Sequence, residues 1–215
     1  SRPDEVMLDL GAGGELLVAR VRALLSALTL LLPLVAFIGN LGAGSTTELM
    51  IGLGASIFIN ICAQIWLVLA GHRRRHGWLP YATTTYDVTT TTLVLGLLHF
   101  SDPVAPFNSM VVWCFYLFAI GMTALRNDGR LTLYAGALAI VQYGVLVAVL
   151  LTRAQSPDQL VSIEYGTVSI GGQIERLVLM LLMTLLTTTI VYRMQRLIES
   201  SGSDGLTGLP NRTWL

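Results

Sequence analysis

Asp87 is a carboxylate in a place where carboxylates are costly. It lies in the stretch Tyr81 to His99, among apolar residues and the hydroxyls of Thr83, Thr84, Thr85, Thr89, Thr90, Thr91 and Thr92. If that stretch crosses a bilayer, Asp87 is about seven residues, or roughly 10 Å, from one end. At that depth a carboxylate must face protein or water, and such residues mark ion, proton or ligand sites by default. Upstream, Asn60 and Gln64 are spaced i, i+4 and share one helical face. Gln64 is roughly 9 Å deep from the same side, so it matches Asp87 in depth and could hydrogen-bond to it. Gln142 and Tyr143 fall in the same half of a later stretch. Asp87, Gln64, Asn60, Gln142 and Tyr143 are therefore the candidate sensing residues, a polar layer able to detect a ligand or a proton. The same side chains would equally serve as interhelical hydrogen bonds, worth about 0.6 kcal/mol each.

Beyond this layer the sequence offers little chemistry. It has no glycine-rich phosphate loop, no Ser/His/Asp set and no metal-ligand cluster, so neither a catalytic residue nor a metal is expected in this chain. Cys62 and Cys114 lie inside apolar runs and read as small buried hydrophobes. His99 falls at the opposite end of its stretch from His72 and His76, which argues against a haem pair. The net charge is zero, and no nucleic-acid partner is expected.

The elements that position these residues are membrane helices. Of 215 residues, 53% are hydrophobic and 12% charged, against about 25% charged in a globular domain. Six apolar segments recur, at about 21–37, 48–70, 81–99, 107–125, 131–151 and 174–192. Each is near the length that crosses about 30 Å of hydrocarbon. The expected fold is all-α, a polytopic bundle of six transmembrane helices in the lipid bilayer. Arg20, Arg22, Arg73, Arg74, Arg75, Arg126, Arg130, Arg193 and Arg196 all fall on one side of such a bundle, leaving Arg153 and Arg176 on the other. By the positive-inside rule both termini are cytoplasmic, as expected for a multi-pass protein of a bacterial inner membrane. Trp66, Trp78, Tyr81 and Trp113 read as interfacial anchors or lipid-facing bulk. Gly52, Gly54, Gly121, Gly136 and Gly144 read as points of close helix approach.

Residues 1–19 read as a loose or short helical cytoplasmic segment, residues 20–192 as the sensor domain, and 193–203 as a signalling helix and linker. The sizeable external segment, 152–173, alternates Val161, Ser162, Ile163, Glu164 and Tyr165, then Val168, Ser169 and Ile170. That period of two predicts a small hairpin turning at Gly166-Thr167, between the fifth and sixth helices. It should rest on the helix ends, because a lone hairpin is marginal in water. The sixth helix is expected to continue past Tyr192. There Val191, Met194, Leu197 and Ile198 form a short stripe, the pattern of either a parallel coiled-coil seam or a plain amphipathic helix. Ser200-Ser201-Gly202-Ser203 has the composition of a hinge.

Residues 204–215 read Asp-Gly-Leu-Thr-Gly-Leu-Pro-Asn-Arg-Thr-Trp-Leu. With Asp204, Leu206, Thr207, Gly208, Leu209, Asn211 and Arg212 in place, this stretch resembles the opening of a GGDEF domain, the catalytic domain of diguanylate cyclases. The part before it looks like six-helix input modules fused to such domains and to class III nucleotide cyclases. Residues Ala124 to Leu131 and the Tyr86-Asp87 pair in its threonine-rich helix carry that likeness. The resemblance implies a homodimer, with Val191 to Ser201 as the seam that transmits the signal, which makes cyclic di-GMP from two GTP with Mg²⁺ under an unidentified small-molecule or lipid-like signal. It places the catalytic residues beyond Leu215. Two other functions stay open: a regulatory membrane module of a GGDEF–EAL phosphodiesterase, and a small-molecule transporter with Asp87, Asn60 and Gln64 at its midplane. Against the transporter, the sequence has no clear inverted repeat and no broken helix pair.

Overall fold

The computed structural model describes residues 3–39, 46–71, 77–154 and 156–201, almost all of them helical. In chain order the helices are α1 (Pro3–Thr29), α2 (Leu31–Gly39), α3 (Thr46–Gly71), α4 (Leu79–Leu98) and the single turn α5 (Ala105–Asn108). Then come α6 (Met110–Met122), α7 (Gly129–Arg153) and α8 (Ile170–Ser201). Among the described residues, four stretches are long and apolar enough to cross a membrane: Leu16–Val35, Thr47–Gly71, Gly129–Arg153 and Ile170–Leu197. These make the chain a helical membrane protein. Of the two further segments expected to span, α4 carries seven threonines and Asp87 over its 20 residues. The other, α6, has only 13 residues before a 3-10 turn, Thr123–Arg126.

The polar helix is the central one. α4 packs against α3, α6 and α7, so its hydroxyls meet protein rather than lipid. Its Val88, Leu95 and Leu98 share one core with Trp113, Tyr116 and Ile120 of α6, Ala135, Ala139 and Tyr143 of α7, and Met180 of α8. α1, α2 and α3 form a second group beside this core. Pro33 has no N–H to give the Thr29 carbonyl, and α1 and α2 are separated there by a turn at Leu30. The Ser56 hydroxyl of α3 lies 3.4 Å from the Thr29 carbonyl and bonds the Gly52 carbonyl at 2.7 Å.

Several expectations are corrected. The N-terminal segment is helical from Pro3, continuous with the first apolar stretch. The fourth segment is broken at Ser109, whose extended backbone separates α5 from α6. The hairpin exists, with β1 (Val161–Ser162) paired antiparallel to β2 (Gly166–Thr167). Its turn, however, is Ile163-Glu164-Tyr165, because the positive φ of Gly166 (72°) serves the residue after a three-residue turn. The expected dependence on helix ends holds. Asn108 donates to the Tyr165 and Thr167 carbonyls, and Ser162 donates to Asp102.

Glycine packing is uneven. A Cβ on Gly136 would sit 2.1 Å from Thr184 Oγ1, and one on Gly121 would sit 3.2 Å from Met183, whereas Gly54 and Gly144 meet nothing within 4 Å. Trp113 is buried rather than facing lipid, while Trp78 and Tyr81 are exposed.

α8 runs unbroken through Ser201, as expected. The predicted seam on it does not hold as one face. Val191 is fully buried against the Gly129 end of α7, whereas Met194 and Leu197 are exposed. The side chain of Ile198, the linker after Ser201, the cluster 72–76 and the motif from Asp204 to Arg212 lie outside the described residues.

Candidate functional site

Asp87 is held by arginine, not by glutamine. Arg22, one face inward on α1, approaches it bidentately: Nε to Oδ1 at 2.8 Å and Nη2 to Oδ2 at 2.6 Å. The two side chains are only 5% and 11% exposed. Both charges are desolvated, and the fork geometry of guanidinium and carboxylate is what makes the burial tolerable. Gln64 is exposed on α3 and does not meet Asp87. Ser56 and Ala63 define the buried face of that helix, and Gln64 follows Ala63 by about 100° of helical rotation, which turns it away. Asn60 stays inward and donates to Ser26 Oγ at 3.4 Å.

Gln142 joins a different network. Its Nε2 donates to Thr89 Oγ1 at 2.9 Å, and its Oε1 accepts from Thr92 Oγ1 at 2.7 Å. Thr92 also lies 2.7 Å from Tyr116 Oη. Thr92 Oγ1 is also 3.1 Å from the Val88 carbonyl of its own helix. These contacts tie α4, α6 and α7 together. Tyr143 belongs to a third cluster, donating to Gln173 of α8. Beside it Arg176 stacks on Trp113 at 5.4 Å. The five candidate residues thus fall into separate settings, and only Asp87 lines the large cavity.

That cavity has a volume of about 940 Å³ and separates the α1–α3 group from α4 and α6. Its walls are mostly apolar, including Leu28, Leu32, Phe37, Val94, Phe115 and Phe118. Arg22 and Asp87 close one end; Glu48, Glu164 and Tyr165 form the other, beside the hairpin. The Tyr165 hydroxyl donates to Glu48 Oε1. Burial, and then the bond and charge of Glu48, push the Tyr165 hydroxyl well above the usual phenol range. The Glu164 carboxyl is also raised, first by partial desolvation and then by the carboxylates of Glu48 and Asp102. The volume sits within the roughly 300–1,000 Å³ of small-molecule pockets, whose walls are mostly apolar with a few polar groups at set points. Among the described residues no group of His, Cys, Asp and Glu could hold a metal ion.

Two arginines counted as topology markers in the sequence are internal ligands. Besides Arg22, Arg126 is 8% exposed and donates to Thr84 Oγ1 at 2.9 Å and Thr83 Oγ1 at 2.6 Å. It sits in the 3-10 turn whose next residue, Asn127, is left-handed at φ 53°. The Asn127 carbonyl accepts from Gln195 of α8 at 2.7 Å. Asp128 then caps α7, accepting from the Arg130 and Leu131 amides. A signal for Arg22 was present in the sequence: Arg22, Ser26 and Thr29 fall on one helical face.

No protein-family model, curated protein or solved structure matches this chain.

Proposed function

We propose that this chain is the membrane sensory and dimerisation module of a diguanylate cyclase whose catalytic domain begins at Asp204. One observation carries the reading. The GGDEF-like stretch Asp204 to Arg212 is separated by two residues from α8, a helix of 32 residues that runs from the hairpin through the bundle. In this reading α8 and the short linker after it pass a movement at the hairpin end to the output domain.

In this reading α1–α2, α3, α4, α5–α6, α7 and α8 make six spans. The hairpin lies outside a bacterial inner membrane and both termini are cytoplasmic. Among the described residues, exposed Arg20, Arg130, Arg193 and Arg196 fall on the cytoplasmic side of this reading against exposed Arg153 on the other, a balance that still favours that orientation. The cavity is the input site. An occupant biases the module only by binding its two states unequally, and the cavity lies between two groups of helices joined by the Arg22–Asp87 pair. Two copies are needed because the resemblance implies an active site formed between two cyclase domains, each with GTP and Mg²⁺. Exposed Met194 and Leu197 are the described apolar residues that suit a seam near the output.

The test is cyclic di-GMP synthesis from GTP by the full-length protein. Formation of the product supports the reading. Absence of activity, with no Gly-Gly-Asp/Glu-Glu-Phe sequence after Leu215 in the gene, defeats it. An EAL sequence further downstream, with hydrolysis of cyclic di-GMP in place of synthesis, would make the module a regulator of a phosphodiesterase.

A further inference from the structure

We infer that the cavity takes a single-chain amphiphile with a cationic ammonium head, the head at Glu48 and Glu164 and the chain running toward Asp87. The inference deepens the sensory reading and rests on it only for the consequence of binding.

The shape argues for a chain. The wall formed by α4 extends from Asp87 to Leu98, roughly 16 Å at about 1.5 Å per residue, and the volume is about 940 Å³. Between these ends the cavity is faced mainly by Leu, Val, Met and Phe side chains. An alkyl chain there gains about 0.8 kcal/mol per methylene taken from water.

Charge fixes the direction. At the Asp87 end the guanidinium of Arg22 is already matched bidentately by a carboxylate. An anionic head there would leave two negative groups competing for one cation in a buried site, and a cationic head would meet the reverse conflict. The hairpin end is different. Glu48 and Glu164 both line that end, and Asp102 accepts from Ser162 of the hairpin next to it. The charged neighbours acting on Glu164 are themselves carboxylates, Glu48 and Asp102. A cation placed between Glu48 and Glu164 relieves that repulsion, and the Tyr165 ring beside them offers a further face for an ammonium group.

The experiment uses the 215-residue chain in phosphatidylglycerol nanodiscs, with empty nanodiscs as the blank. Dodecyltrimethylammonium and dodecanol are titrated below their aggregation limits, and binding is read by calorimetry. A quaternary head donates no hydrogen bond, so it reports charge alone. Both probes partition into lipid, so the measured quantity is the ratio of variant to wild-type affinity for each. E48Q/E164Q is expected to weaken the ammonium probe about tenfold, the factor supplied together by two partly exposed charge contacts, and to leave dodecanol unchanged. Ala55→Phe, which fills the cavity wall, is expected to weaken both probes. Circular dichroism checks that each variant keeps its helices. Three results overturn the inference: no saturable binding to the wild type, an ammonium affinity that ignores E48Q/E164Q, or an equal loss for both probes in that variant. None of the readouts involves the cyclase, so failure here leaves the proposed function standing, and the reverse also holds.

Discussion

Removing one member of the Arg22–Asp87 pair should damage the bundle far more than removing both. The two groups meet at 2.8 and 2.6 Å with side-chain exposures of 5% and 11%. Asp87→Asn keeps the shape of the side chain but leaves a guanidinium without its counter-charge. Arg22→Met leaves the carboxylate in the same position. Breaking a buried pair from one side costs about 3–5 kcal/mol. The pair faces the cavity, so water entering there sets the lower part of that range, about 3 kcal/mol. At about 2–4 °C per kcal/mol for a chain of this size, each single variant should unfold roughly 6–12 °C lower. Arg22→Met combined with Asp87→Leu removes both charges and fills the space with apolar atoms. Such replacements are neutral or stabilising by about 1–4 kcal/mol, so the double variant should recover most of the loss. The assay is thermal unfolding in nanodiscs at one scan rate, with the coupling taken from the double-mutant cycle. Single variants within about 0.5 kcal/mol of wild type, or a double variant as poor as the sum of the singles, would refute the argument.

Three further outcomes follow from the same geometry. Gln142→Leu cuts the chain from Tyr116 through Thr92 to Thr89 and should cost about 1–3 kcal/mol, whereas Gln64→Leu, on an exposed face, should stay within about 0.5 kcal/mol; unfolding midpoints measured together separate the two. Gly136→Ala should cost about 1–3 kcal/mol by overpacking, since its Cβ would lie 2.1 Å from Thr184 Oγ1, and adding Thr184→Ala should return part of that in the same assay. The raised Glu164 carboxyl binds its proton more readily in the folded chain than at its ordinary 4.5, so the stability it confers is present below that value and lost as pH rises through the folded value. Protection of the Val168 amide, bonded to the Leu160 carbonyl, should therefore fall over that window after correction for intrinsic exchange, and Glu164→Gln should flatten the profile.

Local pattern carried well into the structure, and long-range pairing did not. The continuation of α8 past Tyr192 was legible because no Pro or Gly interrupts the run to Ser201. The hairpin was legible from its period of two, but its turn was misplaced because Gly166 reads alike at a turn centre and just after one. For residues 1–19 a loose segment and a short helix stayed open because Gly11, Gly13 and Gly14 lower helix propensity, and the segment is helical from Pro3. Arg22 and Arg126 were read as loop charges because the arginine rule counts residues near span ends without asking which face they occupy. Their partners, Asp87 and the Thr83–Thr84 pair, lie tens of residues away. Gln64 failed for the complementary reason. Its depth matched Asp87, but depth does not fix azimuth, and the buried face of α3 passes through Ser56 and Ala63 instead.

The two buried arginines also explain why a helix as polar as α4 can sit at the centre. Arg22 reaches it from α1 at Asp87, and Arg126 reaches it from the turn before α7 at Thr83 and Thr84. The first contact crosses the cavity boundary; the second leads through Asn127 to Gln195 on α8. An occupant that spreads α1 from α4 strains a bidentate geometry that tolerates little displacement, because both hydrogen bonds weaken together. α4 then either follows α1 or loses the pair. Movement of α4 acts on Arg126 through two short bonds, and Arg126 is covalently next to the residue that α8 holds. The coupling proposed for this module therefore makes one sharp demand. Arg126→Lys, which replaces a fork by a point charge, should weaken the response to a cavity ligand while leaving ligand affinity nearly intact.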